Sequence, residues 1–377
     1  MPVAGDEGVD MTDTGATGTA PNGAGAMLGE GAGVAVSVEP RAYHARETGP
    51  GATAAIAGIG CYLPNETITN ADLSRMVDTN EEWIVSRTGI KSRHRADSMD
   101  ATSDLATRAA RLALADAGVA PETLDMVIVA TATPDMPVPA SACVVQETLG
   151  ATRASAMDLN AGCTGFLYAL HTAEALVRAG SAERVLVIGA DTLTRVTDYT
   201  DRRTCVLFGD GAGACVVSRE GTMRVIYSGV GSDGAERDLI TIPAGGSRTP
   251  ASAKTVGGSG HYLQLDGQRV FRQAVRRMVE AAEEGLRVTG LRAEQIACVI
   301  PHQANARIIQ AVGEQLGVEP SRVVLDMAET GNTSAASLPI ALTHVREERG
   351  FEPGELVMLL AFGAGLTWAC QILRVEG

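Results

Sequence analysis

The chain has 377 residues, 45% hydrophobic and 20% charged, with a formal net charge of −14. That acidity argues against nucleic acid and anionic membrane as partners. No run approaches the roughly 18–20 apolar residues of a spanning helix, and no basic-then-apolar leader opens the chain, so a cytoplasmic protein is expected.

Residues 1–52 are dominated by Gly, Ala, Thr and Asp without apolar periodicity. Such a stretch buries too little surface to offset its ordering entropy and reads as a flexible extension. From about residue 53 the pattern changes. A small apolar strand is expected at 54–59. A helix follows over 103–117, with Ser103 as its cap and Gly118 as its stop. Next come a buried strand at 125–130, a helix at 141–149 and a strand at 156–159. A helix over 164–179 places Phe166, Leu170, Ala173 and Val177 on one face, and a buried strand runs through 184–190.

The order then repeats. A strand at 296–300, a helix at 306–316, a strand at 323–326 and a strand at 356–361 follow the plan of the first half. Two halves are predicted, 53–225 and 226–377, each an α/β unit with a largely parallel, doubly covered sheet. Cys163 and Asn332 fall at equivalent strand-to-helix corners, and His302 falls where the first half has Thr133. A pseudo-twofold fusion of the halves would bring these corners to one pocket.

Each corner has an ordinary reading beside a catalytic one. The seven cysteines (61, 143, 163, 205, 215, 298, 370) form no Cys-x-x-Cys pair and read as buried thiols of a reducing compartment. Cys163 differs because Gly162 and Gly165 flank it at a helix start, where backbone N–H groups favour a thiolate. His302 in Pro301-His302-Gln303-Ala304-Asn305 and Asn332 in Gly331-Asn332-Thr333-Ser334 could each be a helix cap.

These three segments, together with Phe208-Gly209-Asp210-Gly211-Ala212-Gly213 and Phe362-Gly363-Ala364-Gly365-Leu366-Thr367-Trp368, resemble the signatures of 3-oxoacyl-acyl carrier protein synthase III from about residue 53 onward. The resemblance implies a thiolase-like, five-layered αβαβα fold, a homodimer, and a triad of Cys163, His302 and Asn332. It implies no cofactor, with acyl-CoA and malonyl-acyl carrier protein as substrates. Cys163 would carry the acyl group, with the backbone N–H groups of Cys163 and Ala364 meeting the oxyanion. Trp83, Arg87 and Arg202 would contact CoA, and Arg307 would dock the carrier protein. Leu193, Phe208, Leu263, Leu265 and Phe362 would line the acyl pocket, with Val138 reaching across from the partner subunit.

Family members often carry Phe at the Val138 position, so the smaller residue predicts a pocket for branched or longer starters. The pocket and the N-terminal extension together point towards polyketide priming rather than fatty-acid initiation. The Gly/Ser-rich loop at 244–260 is longer than the family leads one to expect and reads as a flap or a surface insertion. Two other readings stand beside the condensing enzyme. One is an acyltransferase acting on an alcohol or amine, which intact Asn332 disfavours. The other is a non-catalytic partner subunit, which Cys163 disfavours.

Overall fold

A computed structural model describes residues 43–44 and 53–377, so the rest of the predicted extension lies outside the described residues. The strands of the main sheet are β1 (Tyr43–His44), β2 (Ala55–Tyr62), β3 (Met126–Ala130), β4 (Ser155–Leu159) and β5 (Arg184–Thr192). They continue with β6 (Asp210–Ser218), β7 (Met223–Ser232), β8 (Cys298–Pro301), β9 (Leu356–Gly363) and β10 (Thr367–Val375). Their spatial order is β4-β3-β5-β6-β2-β7-β10-β9-β8, with β1 also on β7.

The order is close to mirrored, with five strands on one side and four on the other. β3 pairs in parallel with β4 and β5, and β5, β6 and β2 follow antiparallel. In the other half β8 pairs in parallel with β9, and β10 and β7 follow antiparallel. Only Ala55–Arg224 and Ile56–Met223 pair β2 with β7 and so join the two sets.

Besides α1 (Glu81–Thr88), which packs apart from this sheet, six described helices cover these strands: α2 (Thr102–Ala117), α3 (Ser141–Leu149), α4 (Gly165–Ala179), α5 (Gly267–Thr289), α6 (Ala306–Gln315) and α7 (Ser337–Glu348). Side chains alternate along β3. Val127 and Val129 pack with α2 and α3, while Ile128 and Ala130 pack with α4 and α7. The second half packs its outer face against α5 and α6. Phe166, Leu170, Ala173 and Val177 of α4 share one core with Leu338 and Leu342 of α7. The layers are therefore α2/α3, first sheet, α4/α7, second sheet, α5/α6, the expected five. Each large side chain in the shared core contributes about 1.5–3 kcal/mol by its burial.

Three local expectations are corrected. Ser103 is not the cap of α2. The helix begins one residue earlier, after Ala101, whose N–H donates to the Asp104 carboxylate, and the Ser103 N–H donates to Asp135. Residues 323–326 form no strand. A turn of 3-10 helix ends at Arg322 and a helical turn begins at Met327, leaving room for one bridge, Val299 to Val323. The boundary at 225/226 falls inside β7, so the chain passes between halves in the turn after Ser218.

Candidate active site

Cys163 lies in a 3-10 turn, Gly162–Thr164, that feeds α4. Against it lies the turn after β9. A Cβ on Gly162 would stand 2.9 Å from the Ala364 nitrogen, and one on Gly363 would stand 2.8 Å from the Cys163 nitrogen. Gly162 also has φ +55°, so glycine is required there for conformation and for space. The backbone nitrogens of Cys163 and Ala364 are thereby brought to one place. Thr367 Oγ1 ties the turns together, lying 2.9 Å from the Ala161 carbonyl oxygen and 3.0 Å from Thr164 Oγ1.

His302 follows β8, and its backbone N–H donates to the Leu360 carbonyl at 2.7 Å. Its Nδ1 lies 2.6 Å from Ser337 Oγ, at the start of α7. Ser337 Oγ also accepts the Gln303 N–H at 3.4 Å, and its own hydroxyl can donate to Nδ1. That assignment leaves the hydrogen on Nε2. The ring is buried, and desolvation pushes its pKa down to about 4, so the imidazole is neutral at physiological pH.

Asn332 is clamped between the halves. Its N–H donates to the Leu207 carbonyl at 2.9 Å, and its carbonyl accepts from Gly209 at 3.1 Å. Its side-chain oxygen accepts the Ser334 N–H at 2.9 Å. The amide NH2 is then left as its donor.

Two further groups stand at the site, one of them, Asp191, without a motif-level signal in the sequence. Asp191, at the end of β5, is fully buried and accepts from the Thr131 and Thr133 hydroxyls and the N–H groups of Ala132, Thr133 and Ala335. Ser334, a non-glycine residue at φ 53°, lines the cavity together with Cys163.

The expectation of a depressed Cys163 pKa is overturned. Burial, with Asp191 adding a smaller push, drives the thiol up to about 11, and the Ser334 hydrogen bond only partly offsets this. The side chain keeps partial exposure because it lines a cavity, but protein surrounds that cavity. A helix terminus supplies about half a charge, too little to outweigh removal from water. Alkylation of Cys163 by a neutral reagent, followed by peptide mass spectrometry, is therefore expected to keep rising past pH 9. A plateau below pH 8 would contradict this.

The cavity has a volume of ≈ 180 Å³. Cys163, His302, Asn332 and Ala364 all line it, as do the predicted Leu193, Phe208, Leu263, Leu265 and Phe362. Among the described residues, no Asp, Glu, Lys or Arg lines it. One wall comes from α5, through Phe271, Ala274 and Met278, which sequence reasoning missed. Gly267, Phe271 and Asn305 also line an adjoining cleft that holds Arg87, Arg272 and Arg307. The thiol cavity thus shares its lining with a cleft that bears three arginines.

Models of 3-oxoacyl-[acyl-carrier-protein] synthase III match residues 157–234, and of its C-terminal part residues 286–375. The chain is 49% identical over 322 residues to the beta-ketoacyl-[acyl-carrier-protein] synthase III of Caldanaerobacter subterraneus subsp. tengcongensis, covering 85% of this chain and 97% of that protein. The chain belongs to the 3-oxoacyl-[acyl-carrier-protein] synthase III family.

It is thus an acyltransferase-class condensing enzyme of the thiolase fold. The synthase III of Aquifex aeolicus VF5 superposes with a TM-score of 0.79 at 42% identity, covering 85% of this chain and 99% of that one. The priming beta-ketosynthase of the R1128 polyketide pathway superposes at 0.78 with 36% identity, covering 86% and 96%.

Other residues implied by the synthase III resemblance are more scattered. The Arg202 guanidinium stacks on the Trp83 ring at 4.7 Å and pairs with Asp78 at 3.3 Å. An adenine sandwiched between Trp83 and Arg202 therefore requires that stack to open. Arg87 and Arg307 are exposed on the arginine cleft, where Asn305 Nδ2 donates to the Arg87 carbonyl. Val138 is 83% exposed and takes no part in this chain's own cavity. The 244–260 loop is ordered around a short helix, Ala253–Val256, and leads into Leu263 and Leu265 of the cavity wall. No described helix is long and apolar enough to cross a membrane.

Proposed function

We propose that this enzyme catalyses a decarboxylative condensation in which Cys163 is the nucleophile and His302 and Asn332 are the enolate-binding donors. The observation that carries this is a thiol meeting two neutral donors in a cavity without charged side chains. The Cys163 sulfur attacks the thioester of an acyl-CoA, CoA leaves as its thiol with the cysteine's proton, and an acyl-cysteine remains. Backbone N–H groups of Cys163 and Ala364 receive the oxyanion. Malonyl-acyl carrier protein then loses CO2, and the resulting enolate attacks the acyl-cysteine carbonyl, releasing Cys163 and 3-oxoacyl carrier protein.

Neutral donors suit this chemistry. A carboxylate would repel the enolate, and a charged imidazolium would be lost to desolvation at this depth. Asn332, held with its NH2 free, supports condensation over acyl transfer to an alcohol or amine. Mass spectrometry of the protein incubated with acyl-CoAs and then malonyl carrier protein tests the reading. An acyl adduct on Cys163 discharged as 3-oxoacyl product supports it. An adduct that malonyl carrier protein leaves in place would favour the non-condensing acyltransferase.

For the starter we read a branched or longer acyl group, since a valine stands at 138, where the family often carries Phe. Similarity to a polyketide-priming ketosynthase agrees with initiation of a polyketide. Rates confined to acetyl-CoA, with none for isobutyryl- or hexanoyl-CoA, would overturn the starter reading. Trp83, Arg87 and Arg202 bind the CoA nucleotide, and the homodimer completes the pocket with Val138 of the partner subunit, in the cytoplasm and without a cofactor. Arg307, exposed at the mouth, docks the acidic carrier. Arg307→Glu is expected to raise KM for malonyl carrier protein roughly tenfold and to leave acylation by acyl-CoA within about twofold. Equal effects on both half-reactions would contradict a docking role.

A further inference from the structure

The turn that follows Asn332 is held by a carboxylate from the other half of the chain. Ser334–Ala336 is a single turn of 3-10 helix. Ser334 enters it at φ 53°, a left-handed conformation that a residue with a side chain keeps only when its surroundings impose it. Two consecutive N–H groups of this turn are committed in different directions. The Ser334 N–H donates to the Asn332 side-chain oxygen at 2.9 Å, and the Ala335 N–H donates to Asp191 Oδ2 at 3.2 Å. The first bond sets which way the Asn332 amide faces, and the second fixes the turn that makes it. The turn also sits directly on β5. A Cβ on Gly189, two residues before Asp191, would stand 2.3 Å from the Ala335 carbonyl oxygen.

The other carboxylate oxygen faces the corner of the first half. Asp191 Oδ1 accepts from the Ala132 N–H at 2.8 Å and the Thr133 N–H at 3.2 Å. It also accepts from the Thr131 and Thr133 hydroxyls at 3.0 and 2.9 Å. Ala132 lines the cavity with Cys163. One fully buried side chain thus spans the wall beside the nucleophile and the turn that carries Asn332. Every partner donates, so the position calls for a group that only accepts, which a carboxylate does and an amide does not. Asparagine would fill the same space. With its oxygen kept at the four-donor end, however, its NH2 would face the Ala335 N–H, donor against donor.

We propose that Asp191 is a positioning residue for the condensation half of the reaction, aiming the Asn332 amide through the Ser334–Ala335 turn. The proposal rests on the reading of Asn332 as an enolate donor. Asp191 acts through backbone groups and not on the reacting atoms, so loosening its Ala335 bond should cost the second half-reaction and spare the first.

The test measures two single turnovers, acylation of Cys163 by acyl-CoA and discharge of the acylated enzyme by malonyl carrier protein. Asp191→Asn is expected to slow discharge about 30-fold, the scale of a misplaced catalytic group, and to leave acylation within about threefold. Asn332→Ala and the double variant complete a cycle. If Asp191 acts through Asn332, the double variant should discharge within about threefold of Asn332→Ala alone. Thr131→Val removes one donor from the carboxylate and keeps the question measurable if Asp191→Asn does not fold. It should slow discharge about threefold in the native background and not in Asn332→Ala. Equal loss in both half-reactions, no loss in discharge, or losses that multiply in the double variant would overturn the positioning role. Discharge left intact by Asn332→Ala would instead overturn the enolate reading on which it rests.

Discussion

Cys163→Ala is expected to lose acyl transfer by about 10⁴-fold or more, with no acyl adduct on the protein after incubation with acyl-CoA. Among the described residues Cys163 is the one cysteine that lines the cavity, beside its own backbone nitrogen and that of Ala364. Cys163→Ser tests the same point with less change of shape, since a hydroxyl is a poorer nucleophile at neutral pH than a thiol. An adduct that survives in Cys163→Ala would move the chemistry to another residue. Correct folding can be checked by the intact exposure pattern of Cys143 towards alkylation.

His302→Ala is expected to divide the reaction in two. Acylation of Cys163 should persist within about tenfold, while condensation with malonyl carrier protein falls by about 10²–10³, the usual cost of deleting one donor to a developing oxyanion. Single-turnover measurement of each half-reaction separates the cases, and equal loss in both would contradict enolate binding. The depressed pKa adds a pH signature. The unfolded ring titrates near 6.5 and the folded one near 4, so on acidification the unfolded state binds the proton first. Stability attributable to this group is therefore lost as pH falls from about 6.5 towards 4, at up to about 1.4 kcal/mol per pH unit. Above 6.5 it contributes no slope. In His302→Ala the acid limb of a denaturation series should be shallower.

Much of the site was legible because it sits at chain corners. Glycines around Cys163 and a polar residue ending a buried run are local signals, and the repeat told which corners correspond. The same logic found α4 through its apolar face, and five of the six proposed pocket residues line the cavity. Asp191 was missed because its role arises from contacts of residues far apart in the chain, such as Ala335 with Asp191. Ser337 was missed for the same reason, lying 35 positions from His302. The α5 wall was missed because an amphipathic helix shows which face is apolar, but not what that face covers.

From the sequence alone follow the α/β class, the doubled plan, the family, and the residue types that meet at the corners. These are set by local propensity, hydrophobic period and chain-order repetition, which any linear reading can follow. Tertiary structure decided the protonation states. Cys163 was expected to be a thiolate from its helix terminus, yet enclosure in a cavity without charged walls raises the thiol and lowers the His302 imidazole. Desolvation depends on everything packed around a group from all directions, and no stretch of neighbouring sequence contains that sum.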